Sequence, residues 1–129
     1  TVTLHGGLRS SWTFVGWTGG GTYLHQQGFH EVSNYLTLAH LPGSTGYYRL
    51  DSGTLSVGSV EAIGFDNNAV ALFEQYGGLH TIGELRVADY HPGRRGTFNL
   101  RTSVATRSSR TARAPSVSLT ASAMSPVEI

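Results

Sequence analysis

Histidine, six times present in the 129 residues, is the residue here most able to do chemistry near neutral pH. The densest group is His25, His30 and Glu31, with His40 further along. Imidazole and carboxylate ligands suit zinc, iron or manganese. In one continuous strand His25 and His30 point to opposite faces, so they could share an ion only if Gly28 adds a residue to the register. A cupin-like barrel would set two histidines two apart with a glutamate a few residues later, and here Glu31 directly follows His30. His25, His30 and Glu31 are therefore the metal candidates of a secondary reading, a metal-dependent β-barrel enzyme. The favoured expectation is histidines at loops and strand edges, with no cofactor.

Other chemistries have thinner support. Cysteine is absent, which removes thiol nucleophiles, thiolate metal sites and disulfides together. No Gly-x-Ser-x-Gly nucleophile elbow occurs, although Asp89 and His91 bracket Tyr90. Glu61, Glu74 and Glu84 could face one another as a glycosidase pair would, but solvated carboxylates are the expectation. Gly19, Gly20 and Gly21 precede a strand-like run, not a helix, and no lysine follows them to complete a phosphate loop.

Binding chemistry is better represented. Trp12, Trp17 and the pair Tyr47 and Tyr48 could form a stacking platform for sugar rings. Residues 1–93 hold three arginines against seven carboxylates, whereas 94–129 hold six arginines against Glu128 alone. Arg94, Arg95, Arg107, Arg110 and Arg113 could therefore dock on an acidic face, giving carboxylates planar multi-donor contacts. Nucleic-acid binding is not expected, because these arginines are not interleaved with aromatic residues.

The elements that must position these residues are strands. Charged residues are only 13% of the chain and glycine numbers 17. Short β-prone runs alternate with Gly, Pro, Asn and Asp at intervals of roughly 8–12 residues, the pattern of a sandwich or barrel. About nine strands are expected. Leu36 and Leu38 alternate with Tyr35 and Thr37, while Leu85 and Val87 are placed opposite Ile82, Glu84 and Arg86. Residues 54–65 and 69–76 flank Asp66, Asn67 and Asn68, which reads as a hairpin. Pro42–Gly46, Asp66–Asn68 and Pro92–Gly96 are expected as exposed tips.

The expected architecture is one domain over 1–129, an all-β antiparallel sandwich or barrel resembling a jelly roll. Its polar segment 105–115 would lie on the surface or on a neighbouring subunit. No apolar run is long enough to span a membrane.

Such a domain suggests a non-catalytic structural or recognition module, for instance the protruding domain of a viral capsid or another self-assembling surface protein. It would work as a homo-oligomer or larger assembly, outside the cell or on a virion surface, facing a glycan or cell-surface receptor. The alternative is a lectin-like, carbohydrate-binding module.

Overall fold

The computed structural model describes residues 1–66, 68–87, 95–100, 106–108 and 117–121. In chain order its strands are β1 (Val2–Leu4), β2 (Gly7–Val15), β3 (Gly20–His25), β4 (Phe29–Leu38), β5 (Thr45–Leu50), β6 (Thr54–Ile63), β7 (Val70–Gln75), β8 (Leu79–Val87), β9 (Arg95–Leu100), β10 (Thr106–Ser108) and β11 (Val117–Ala121). Odd-numbered strands make one sheet, in the order β1-β3-β5-β7-β9-β11. Even-numbered strands make the other, in the order β10-β8-β6-β4-β2. Every neighbouring pair is parallel.

This is a parallel β-solenoid of about three turns, not an antiparallel sandwich, barrel or jelly roll. Each coil is an even strand, a corner, an odd strand and a second corner. Alternation with period two decides which side chains face inward, but it does not say whether the next strand pairs alongside or crosses to a facing sheet. The expected hairpin at Asp66–Asn68 fails for that reason: β6 and β7 belong to different sheets, and the turn between them is a corner. The jelly roll expected alongside the capsid reading is absent, and the solenoid lends that reading no support.

A recurrence of 25 residues distinguishes the two topologies. Phe29, Thr54 and Leu79 lie side by side in the ladder, as do Thr45, Val70 and Arg95. Two glycine columns show what closes each coil. Gly28, Gly53 and Gly78 all have positive φ, at 86°, 90° and 77°. Their backbones stack so closely that a Cβ on Gly53 would lie 2.1 Å from the Gly28 carbonyl oxygen. Across the coil, a Cβ on Gly46 would meet the Val15 carbonyl oxygen at 2.4 Å. The two sheets therefore pinch together at that corner.

The long even strands are also bent. Two residues, Ser33 and Asn34 in β4 and Gly58 and Ser59 in β6, intervene where β2 and β8 have one. The bend lets Ile82 and Leu85 both face inward, although simple alternation places them on opposite sides.

The core is a set of columns running along the solenoid. Leu38, Ile63 and Val87 form one, and Val32, Val57 and Ile82 another, all buried. A third is aromatic: Tyr23 stacks on Tyr48 at 4.8 Å between ring centroids, and Tyr48 on Phe73 at 5.1 Å. Stacked rings add about 0.5–1.5 kcal/mol per pair beyond the area they bury. Among the described residues no helix is long and apolar enough to cross a membrane.

Candidate functional site: an internal polar chain and an external aromatic patch

The histidines divide between two places. Gln26 to Gly28 turn a corner, so His25 at the end of β3 and His30 near the start of β4 both point into the interior. Both are fully buried. They meet at one phenol: the Tyr48 hydroxyl lies 2.9 Å from His25 Nδ1 and 3.1 Å from His30 Nδ1. His30 Nε2 continues to the Thr13 hydroxyl at 3.1 Å, and Thr13 to Ser10 at 2.7 Å. His25 Nε2 reaches the Gly28 carbonyl at 3.3 Å.

Glu31 is not part of this group. Successive strand residues point to opposite faces, and Glu31 lies outside, bonded to Arg9 at 2.6 Å. The metal set His25, His30 and Glu31 is therefore not assembled, and no group of three metal-ligating side chains occurs among the described residues.

Burial pushes the His30 imidazole down to about 4, helped by nearby His25. Burial likewise lowers His25, against the bond to the Gly28 carbonyl. Thr13, His30 and Tyr48 follow the order nucleophile, base and orienter. Yet a base held near 4 and oriented by a neutral phenol has little drive to take a hydroxyl proton.

A second interior contact joins β6 to β8. His80 Nε2 and Glu61 Oε2 are 2.6 Å apart with both side chains fully buried, and the Phe73 ring stacks on His80 at 4.7 Å. Glu74 and Glu84, expected in solvent, are also largely buried, Glu74 accepting from Tyr47 and Tyr76 and Glu84 from Arg86. These carboxylates do not face one another as a glycosidase pair.

His40 belongs to the outer surface. Trp17, His40 and Phe65 stack along the pinched corner, with centroids 4.4 and 4.9 Å apart. Phe14 sets its edge against Trp17 and His40, at 4.6 and 4.8 Å. Next to them Trp12 stacks on Tyr35 at 4.5 Å, the two being cross-strand neighbours in the ladder. Trp12 is 52% exposed and Trp17 48%. Burial lowers His40, partly offset by Asp66.

The stacking candidates thus part company. Trp12 and Trp17 lie together on one outer patch, Tyr47 lies on the opposite sheet, and Tyr48 is inside the coil. Arg95 begins β9 and Arg107 sits in β10, which extends the even sheet beside β8. Arg94, Arg110 and Arg113, and most of segment 105–115, lie outside the described residues. Sequence reasoning did not place Phe14, Tyr35, His40 and Phe65 beside the tryptophans. Their signal was the ladder spacing that aligns Trp17, His40 and Phe65 at successive corners.

These features define a two-sheet parallel β-solenoid carrying an outward aromatic stack. The chain matches no family model, no curated protein and no solved structure.

Proposed function

We propose that the chain is a non-catalytic structural and recognition module, a stiff stack of coils that holds an aromatic platform out to solvent. One observation carries the reading. Two tryptophans, each about half exposed, are fixed in a continuous ring stack, while the interior histidines are bonded to one another through Tyr48. Rings pinned by stacking lose little entropy on meeting a ligand, so their faces are organised in advance. The ligand that fits has a flat, uncharged, partly apolar face, as a pyranose ring does.

The test is the heat change on titrating the protein with soluble neutral polysaccharides, read by calorimetry because Trp12 and Trp17 are the chain's two tryptophans and their removal leaves no tryptophan fluorescence to follow. A saturable change that disappears in the Trp12→Ala/Trp17→Ala variant, with the fold retained, is expected. A change that survives both substitutions, or release of sugar from the probe, would overturn the reading.

A further inference from the structure

The interior chain has a direction, and it follows from counting hydrogens. The Gly28 carbonyl can only accept, so His25 Nε2 carries a hydrogen and, in the neutral ring, Nδ1 carries none. Tyr48 must then donate to His25 Nδ1. Its single hydrogen being used, Tyr48 accepts from His30 Nδ1–H, which leaves His30 Nε2 as an acceptor. Thr13 donates to that nitrogen and accepts from Ser10. Five links join Ser10, Thr13, His30, Tyr48, His25 and the Gly28 carbonyl. The five side chains supply one hydrogen for each link.

We propose that this one-way chain locks His25 and His30 in opposite neutral tautomers and makes proton uptake the trigger that opens the N-terminal coils. A sixth hydrogen enters it only at a cost. On His25 it would turn Nδ1 into a donor facing the Tyr48 hydroxyl, which must then accept twice and leave its own hydrogen unbonded in a buried site. On His30 it would reverse Thr13 and Ser10, which are partly exposed and can turn, but it would bury a charge.

Among the described residues no carboxylate is hydrogen-bonded to either imidazole. β3 presents Tyr23, whose ring stacks on His30 at 5.1 Å and whose hydroxyl is buried without a hydrogen-bond partner. β5 presents Tyr48 itself. Glu61 of β6 faces His80 of β8, and His80 disfavours charge on His25. Arg9 and Glu31 pair outside the coil, as do Arg49 and Asp51 at its rim.

The linkage sign follows from neutrality in the folded state. Between the ordinary histidine value of 6.5 and about 4 for His30, the unfolded chain binds protons that the folded chain refuses. Stability is complete above the upper value, falls as pH drops through this window, and falls no further below it. For His30 alone the unfolding equilibrium constant rises on the order of 10²-fold.

The experiment is nitrogen-15 NMR of histidine-labelled protein at pH 7.5, followed by denaturation at stepped pH down to 4. The expected result, with the signal of the third buried histidine, His80, set apart by its loss in His80→Leu, is His25 with its hydrogen on Nε2 and His30 with its hydrogen on Nδ1. Stability should then fall through the window above. In Tyr48→Phe, and in Thr13→Val should Tyr48→Phe not fold, the Nδ1–H form should give way to Nε2–H or a mixture. Identical tautomers at His25 and His30, an imidazolium at either of the two at pH 7.5, or stability flat from 6.5 to 4 would each overturn the proposal.

Discussion

Glu61 Oε2 lies 2.6 Å from His80 Nε2, with neither side chain reaching solvent. Each has leucine beside it in its column, Leu36 and Leu85 flanking Glu61, and Leu55 standing between His80 and His30. Leucine is therefore the size both sites accommodate. Glu61→Leu alone removes the acceptor facing His80, and His80→Leu alone removes the donor facing Glu61, whose Oε1 already has no hydrogen-bond partner. Each single change should cost about 3 kcal/mol or more. The double change should be close to neutral or stabilising. A double-mutant cycle by urea denaturation reads the coupling directly, and additive singles would show that the contact is worth nothing.

The corner glycines give a second prediction, with an internal control. Gly53 and Gly43 both have positive φ, but a Cβ on Gly53 would strike the Gly28 backbone while one on Gly43 meets nothing within 4 Å. Gly43→Ala should cost about 1–2 kcal/mol, the price of left-handed backbone alone. Gly53→Ala adds a backbone clash between coils and should cost at least about 3 kcal/mol. Equal midpoints in guanidinium for the two variants would show that the coils can spread at that corner.

How much of this could be read beforehand varies with the range of the interaction. Strand existence was legible, because Leu36 and Leu38 alternate with their neighbours and that pattern is local. Sheet identity was not, since Asp66 and Asn68 are chemically suited to a hairpin reversal and to a solenoid corner alike. The repeat was hidden because its columns conserve size and not identity: Tyr48 aligns with Phe73, Leu55 with His80, and Gly46 with Ala71. For the site, spacing identified Trp12 and Trp17 but could not pair them with Tyr35 and His40, which approach only when coils stack. In one continuous strand His25 and His30 would face apart, and spacing alone does not say that Gly28, at positive φ, turns the chain so that both face inward.

Aromatic rings inside and outside the coil should respond differently to truncation. Phe73 is fully buried between Tyr48 and His80. Phe73→Ala should cost about 3–5 kcal/mol through the cavity it leaves. Trp12 stacks closely on Tyr35, meets Phe14 only at 6.2 Å between centroids, and leaves about half its surface in water, 52% by area. Trp12→Ala should cost no more than about 1.5 kcal/mol, near the worth of one stacked pair. Thermal melts of the two variants separate a core role from a surface role; a Trp12→Ala loss equal to that of Phe73→Ala would remove the patch as a dispensable platform.

Alkaline titration tests the phenols. Burial pushes Tyr23 up to about 12, and Tyr48 well above its ordinary value with help from Tyr23 and Glu61. Tyr47 also rises to about 12, through burial and then its bond to Glu74, which accepts the hydroxyl hydrogen at 2.8 Å. The folded state thus keeps these protons longer than the unfolded chain, whose phenols ionise near 10. Stability is complete below about 10 and is lost as pH climbs towards 12. Absorbance at the phenolate band should show Tyr23, Tyr47 and Tyr48, three of the six tyrosines, silent through the ordinary range and appearing only as the coils open. Glu74→Gln removes the charge beside Tyr47 and should bring that one phenol forward while Tyr23 and Tyr48 stay silent. Six tyrosines ionising together near 10 in the folded protein would mean that water reaches the interior column.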